Sequence, residues 1–185
     1  MQSKPVIRFA RQFAFVAAAS CALAVLPLEA SASGRAAARG HTQNATGGVS
    51  GGAVEAARGP NGGVAARGRA YTTDGQGNAS ASSGAAVRGA NGGVAQRSGH
   101  ATRDADSSAT RSGTASATGA NGGTATSTGS TTRAADGTVD GTRSTSATGA
   151  QGNSYNGSTS VSNGQATHSG TCTNASGAVI ACPSR

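Results

Sequence analysis

Small apolar and polar positions along this chain repeat with a period of 15 residues. Copies of Gly-Ala-Asn-Gly-Gly begin at residues 89 and 119, and variants begin at 59 and 149, so the clearest copies are 30 residues apart. More divergent turn-like sequences lie halfway between them, at 74–78, 104–108 and 134–138. One further copy precedes them, at 44–48. A fixed period of this kind is typical of stacked repeat architectures.

Each unit carries an apolar position directly after this turn sequence and a second glycine further along. The apolar position is predicted to face inward and is occupied by Val49, Val64, Ala79, Val94, Ala109, Thr124, Val139 and Ser154. The second glycines are Gly52, Gly68, Gly84, Gly99, Gly113, Gly129, Gly141 and Gly157. Because Asn-Gly and Asp-Gly pairs tolerate positive φ and Thr and Val favour strands, we expect two turns and two strands of about four residues per unit.

This pattern predicts an all-β fold built of 15-residue units. One form is a short-coil β-solenoid whose coils pair through parallel ladders, and the other is a β-hairpin repeat array. Helix is disfavoured because each interior glycine costs about 1 kcal/mol relative to alanine. The alternative is a largely disordered chain rich in Gly, Ala, Ser and Thr that inherited its period from DNA duplication.

Four segments follow from the pattern. Residues 1–32 have a basic start, an apolar stretch and the small residues Ala30-Ser31-Ala32, as in a secretory signal peptide. Residues 33–43 are predicted to be an N-terminal linker, 44–163 the repeat region and 164–185 a C-terminal hairpin cap. We therefore expect a secreted or cell-surface protein, with the periplasm as the alternative, and no transmembrane segment in the mature chain.

The mature chain lacks the residues that build an ordinary globular core. Every Phe, every Leu and the only Met lie within residues 1–28, and there is no Trp. Ala and scattered Val bury too little area to offset the conformational entropy of the backbone. Any order must therefore come from regular backbone pairing, whose unpaired ends invite association with further copies.

Cys172 and Cys182 are the cysteines that remain once the signal is removed. An even pair in an exported chain predicts a disulfide, here closing a hairpin that ends the stack of repeats. A redox pair and half of a metal site are the competing interpretations. Neither is favoured, because redox motifs have two residues between the cysteines and His168 alone cannot complete a zinc site.

The sequence indicates no enzyme, no cofactor, no metal and no small-molecule substrate. His41, His100 and His168 are far apart in sequence, and no G-x-S-x-G nucleophile motif is present. Asp74, Asp104, Asp106 and Asp136 lie in turn sequences. The period is wrong for calcium-binding nonapeptides, so these aspartates are expected to form Asx turns.

Charge is the remaining chemical signal. After removal of residues 1–32 the chain keeps 12 Arg against 6 acidic residues, a net charge of 12 − 6 = +6. Arg58, Arg88, Arg103 and Arg133 each close a unit, so in a solenoid they would line one edge. Such an edge would bind an anionic polymer, namely polysaccharide or extracellular DNA. The alternative is that these arginines bind nothing and form a solvent-exposed edge, which only prevents sideways pairing with other strands.

The turn Gly75-Gln76-Gly77-Asn78 and its sister turns resemble the turns of curlin-type subunits of secreted bacterial functional amyloids. The resemblance covers residues 44–163 and implies strand-turn-strand repeats that stack into extracellular fibres. The unit here is shorter, and the Ser and Gln that recur within curlin strands are not in register.

Three functions are consistent with the sequence. The first is a secreted structural or matrix protein, self-assembling through stacked β repeats. The second is a binding module for an anionic polymer along the arginine edge. The third is an ice-binding solenoid, because Thr72, Thr102 and Thr132 share a column, although Ala57, Val87, Ala117 and Ala147 interrupt it at alternate units.

Overall fold

The described part of the chain is a single antiparallel sheet of 11 strands with no helix. The computed structural model describes residues 33–182. The strands follow one another in space in their sequence order, so the sheet is an uninterrupted meander. They are β1 (Gly34–Gln43), β2 (Val49–Arg58), β3 (Val64–Thr73), β4 (Ala79–Arg88), β5 (Val94–Arg103), β6 (Ala109–Thr118), β7 (Thr124–Arg133), β8 (Val139–Thr148), β9 (Ser154–Ser162), β10 (Gln165–Thr173) and β11 (Val179–Ile180).

The predicted all-β repeat of 15-residue units is confirmed in the form of a hairpin array. From β2 to β8 each unit consists of one strand of 10 residues and one turn of five. Every strand pairs antiparallel with its neighbour in the described sheet, so the parallel ladders expected of the solenoid form do not occur there. The predicted linker, 33–43, contains β1.

The prediction of a second turn in each unit is wrong. The second glycines lie within strands, and none of them has positive φ. Several of these mid-strand glycines pair with one another, as Gly68 does with Gly84 and Gly99 with Gly113. The residue type does not tell a glycine in a turn from a glycine in a strand. The two differ in the backbone angle φ, which is positive at the glycines in the fourth position of a turn and not at the strand glycines.

The five-residue turns reverse the chain through a backbone hydrogen bond from the first residue to the fifth, and all but the turn 74–78 add a second bond from the fourth residue to the first. In the turn 89–93, the amide of Gly89 donates to the carbonyl of Gly93 at 2.7 Å, and the amide of Gly92 donates to the carbonyl of Gly89 at 3.0 Å. The fourth turn position has positive φ, which explains its glycine. That position is occupied by Gly47, Gly62, Gly77, Gly92, Ser107, Gly122, Gly137, Gly152 and Gly177.

Aspartate and asparagine side chains reinforce several of these turns, as the Asx prediction requires. Asp74 Oδ1 accepts the amide of Gln76 at 2.7 Å, and Asp136 Oδ1 accepts the amide of Thr138 at 2.9 Å. The Asn78 side chain and the Gln76 amide lower the pKa of Asp74 below its ordinary value of 3.8. Hydrogen bonds from Ser108 lower the pKa of Asp106, and those from Thr138 lower the pKa of Asp136.

The residues that the structure describes form one layer with almost no interior. Among residues 33–182, Cys172 is the one buried apolar side chain, at 6% exposure. The apolar column predicted to face inward therefore does not do so: Val94, for example, is 46% exposed. A chain that alternates small and polar residues can satisfy its backbone in one layer, and backbone pairing replaces side-chain burial as the source of order.

A small side-chain cluster lies near the C-terminus of the sheet, on β9 and β10. The ring of Tyr155 lies across Gly157 and Gly170, where a side chain would collide with it. Its hydroxyl contacts His168 Nε2 at 3.1 Å, and Thr159 Oγ1 contacts the other ring nitrogen at 2.8 Å. The predicted disulfide between Cys172 and Cys182 is formed next to this cluster.

The predicted C-terminal cap covers only a small part of the sheet edge. β11 pairs with Cys172 and Thr173 alone, and residues 165–171 of β10 have no strand beyond them in the described structure. The residues described contain no helix that could span a membrane. The predicted signal peptide, 1–32, lies outside the described residues.

Alanine substitution should separate the two classes of glycine. Gly92→Ala places a Cβ at φ +88°, so it should reduce the free energy of unfolding by about 1–2 kcal/mol. Gly84→Ala should be neutral or stabilise by up to about 1 kcal/mol, since its Cβ would lie 3.8 Å from the nearest atom, Arg97 O. Urea unfolding measures both values. Equal destabilisation by the two would place residue 84 in a turn and contradict the 10-residue strand.

Stability should fall in acid because the turn aspartates bind protons less readily when folded. Their contribution is complete above the ordinary pKa of 3.8 and is lost as pH falls through the lower folded pKa. The thermal unfolding midpoint should therefore be flat from about pH 7 to pH 5 and decline below about pH 4. In the triple variant Asp74→Asn, Asp106→Asn, Asp136→Asn the unfolding midpoint should decline less in acid, because asparagine does not titrate and Asn44 already accepts the same kind of turn hydrogen bond. An equal decline of the midpoint in the variant would contradict the assignment of the acid sensitivity to these aspartates.

Candidate functional site: two chemically distinct sheet faces

The antiparallel register gives the sheet two faces with different chemistry. Directly paired residues share a face, and successive residues of a strand alternate between faces. Applying the observed register assigns every strand residue to one face or the other. We call them the arginine face and the hydroxyl face.

The arginine face carries nine of the 11 arginines in the strands. Glu55 is the single acidic residue that the strands add to this face. An almost unbroken row of alanine crosses it near one end of the strands, with Val87 as the exception. The nine are Arg35, Arg39, Arg67, Arg69, Arg97, Arg103, Arg111, Arg133 and Arg143.

Glu55 joins two of these arginines into an ion cluster. Its Oε2 accepts from Arg67 Nη2 at 2.6 Å and Nε at 2.9 Å, and from Arg35 Nη2 at 2.9 Å. These hydrogen bonds, first from Arg67 and then from Arg35, lower the pKa of the Glu55 carboxyl. Glu55 is one acidic residue against nine arginines in the strand positions of this face, so the face keeps a strong excess of positive charge.

The four arginines predicted to line one edge are divided between the two ends of the sheet. Arg58 and Arg88 end even-numbered strands, whereas Arg103 and Arg133 end odd-numbered strands, which run in the opposite direction. The first two also lie on the hydroxyl face and the last two on the arginine face. The single arginine edge is therefore wrong, because it assumed that all units run the same way.

The hydroxyl face is nearly uniform from β6 to β10. Of its 25 positions there, 22 are Ser or Thr, and the other three are Asp140, Asn156 and Gln165. Neighbouring hydroxyls bond across strands, for example Ser98 with Thr114 at 2.9 Å and Ser160 with Thr167 at 2.7 Å. This face is a regular hydrogen-bonding surface.

One hydroxyl row of this face continues across seven strands. The partners of Thr72 are Ser50 and Ser80, not the Ala57 and Val87 that the sequence column suggested. The interruption predicted from the sequence is therefore wrong, because antiparallel neighbours lie at mirrored rather than equal offsets. The row consists of Thr42, Ser50, Thr72, Ser80, Thr102, Thr110 and Thr132.

The histidines are not brought together. His41 and His168 are on the arginine face of β1 and β10, and His100 is on the hydroxyl face of β5. In the part of the chain that the structure describes, no group of three or more His, Cys, Asp and Glu residues is arranged to hold a metal ion.

Sequence reasoning missed both faces, although the signal was present. From β6 to β9 the strand residues with even sequence numbers are almost all Ser or Thr, and those with odd sequence numbers are mostly other residues. This alternation, read over 10 residues instead of four, would have identified the faces. Comparison with known proteins adds no further assignment: no family model, curated protein or solved structure matches this chain.

Proposed function

We propose that the chain is an exported structural protein that forms a matrix by extending its sheet from one copy to the next. The observation that carries this proposal is the open sheet edge. β1 has a partner on one side only among the described strands, and β11 covers two residues of β10. Rows of unpaired N–H and C=O groups are templates for another strand.

The strand count favours head-to-tail addition. β1 and β10 run in opposite directions, so β1 of a second copy laid beside β10 would continue the antiparallel order. Continuation of the same rows would put Ala38 beside Ser169, since both lie in the row that passes through Val54, Gly68 and Gly84. A heterologous contact of this kind, repeated without closing into a ring, produces a filament.

Export is the second part of the proposal. The Cys172–Cys182 disulfide suits an oxidising compartment, and the signal-like residues 1–32 suit secretion or the cell surface, with the periplasm as the alternative. The resemblance of the turns to curlin-type subunits implies the same kind of assembly. The proposal assigns a structural role and no catalytic one.

Paired cysteines test the proposed contact directly. In the mature chain carrying Ala38→Cys and Ser169→Cys, oxidation during assembly should produce a ladder of covalent multimers on a non-reducing gel. Directly opposed residues have Cβ atoms about 4.5–5.5 Å apart, close enough to bridge after a small adjustment.

The matched control is Ala37→Cys with Ser169→Cys, whose side chains lie on opposite faces and should not join. Multimers without cross-linking in the first variant would reject the β1–β10 contact. Sedimentation velocity that shows only monomers at every concentration would reject the assembly itself.

The hydroxyl face favours a second function, ice binding. Its seven-strand row is unbroken, and its hydroxyls repeat at about 4.8 Å across the strands and about 7 Å along them. A regular array of this kind presents donors and acceptors at repeated positions to ordered water.

Bulky substitutions on opposite faces of β7 distinguish this function. Thr128→Tyr interrupts the hydroxyl face and should abolish thermal hysteresis, whereas Ala125→Tyr lies on the arginine face and should retain it. Freezing and melting points of the mature chain measure the effect. Hysteresis equal to that of buffer in the parent chain would exclude ice binding.

A further inference from the structure

A long depression crosses the arginine face perpendicular to the strands. It has a volume of about 810 Å³ and extends from Arg35 on β1 to Arg143 on β8, with Arg67 and Arg97 between them. Seven strand spacings at about 4.8 Å give it a length of about 34 Å. The depression is therefore shaped for an extended chain and not for a compact small molecule.

Alanine forms the floor of this depression. Ala57, Ala65, Ala95, Ala117 and Ala125 line it in a row along the same direction. Their methyl groups make a shallow apolar track, and the arginines rise beside it. Arg67 and Arg97 lie in the same row two strands apart, so their Cα atoms are separated by about 10 Å.

A second depression of about 530 Å³ lies on the same face toward the opposite end of the strands. Arg103, Arg111 and Arg133 line it. The two depressions together contain seven of the nine arginines of the face. The positive charge is thus concentrated where the surface is concave, which strengthens its field toward a bound anion.

We propose that the 810 Å³ depression binds a linear acidic polysaccharide carrying carboxylate or sulfate groups. Guanidinium groups bind such anions through paired hydrogen bonds, and the alanine track accepts the apolar face of the sugar rings. A single-stranded nucleic acid fits less well, because no aromatic side chain is among the described residues that line the depression. This inference is independent of the proposed assembly.

Charge-matched variants on the two faces test the proposal. Arg97→Gln with Arg143→Gln should weaken binding of heparin and of alginate about tenfold, as expected from the loss of two exposed charge contacts. Arg58→Gln with Arg88→Gln, which removes two charges from the hydroxyl face, should change it less than about twofold. Isothermal titration at a concentration where sedimentation shows monomers gives the affinities, and thermal unfolding confirms that each variant folds.

A third variant should act in the opposite direction. Glu55→Gln releases Arg35 and Arg67 from the ion cluster, so it should tighten polysaccharide binding about threefold. Affinity should also fall steeply with added salt, and neutral dextran should not bind.

Four outcomes would overturn the proposal. They are an equal loss in the two double variants, tighter binding of DNA than of heparin or alginate, an affinity that salt does not change, and no binding to heparin or alginate. Tighter DNA binding would identify the face as a nucleic-acid surface instead.

Discussion

The backbone ladder of the antiparallel sheet is the interaction on which everything else in this structure depends. From β1 to β8 each strand pairs with its neighbour over nine or 10 residues, while one apolar side chain is buried among residues 33–182. A chain without Trp, and with Phe, Leu and Met confined to residues 1–28, has few large apolar side chains with which to build a core instead. The constant five-residue length of the turns keeps this ladder in register from β1 to β9, because a change in turn length would shift all later pairs.

A single layer leaves both faces in solvent, so each face can be specialised without cost to a core. Ser and Thr accumulate on one face and bond to each other across strands. Arginine and alanine accumulate on the other, with one glutamate to offset the charge. The edges form a third surface whose chemistry is that of the backbone alone. Assembly through edges would leave both faces exposed along the whole filament.

The all-β class, the 15-residue unit, the main turns and the disulfide could be predicted from the sequence, because Gly-Asn turns and paired cysteines have local causes. Strand length could not be predicted from the glycines, because Gly84 within a strand and Gly92 within a turn are the same residue and differ in φ; the signal for it lies in the alternation of Ser and Thr along β6 to β9. The arginine edge and the interrupted Thr column failed for one reason. Both assumed parallel units, and whether Thr72 lies beside Ser80 or Val87 is decided by strand direction, which the 15-residue period by itself leaves open.

Reversal of direction at each turn also explains why the clearest sequence copies are 30 residues apart. The turns that begin at residues 59, 89, 119 and 149 all lie at one end of the strands, and those bearing Asp74, Asp104 and Asp136 lie at the other. Inserting one 15-residue unit would exchange the ends and the faces of every later strand, moving arginines among the hydroxyls. Inserting two would preserve both. The hairpin, not the strand, is therefore the unit by which such a gene can lengthen.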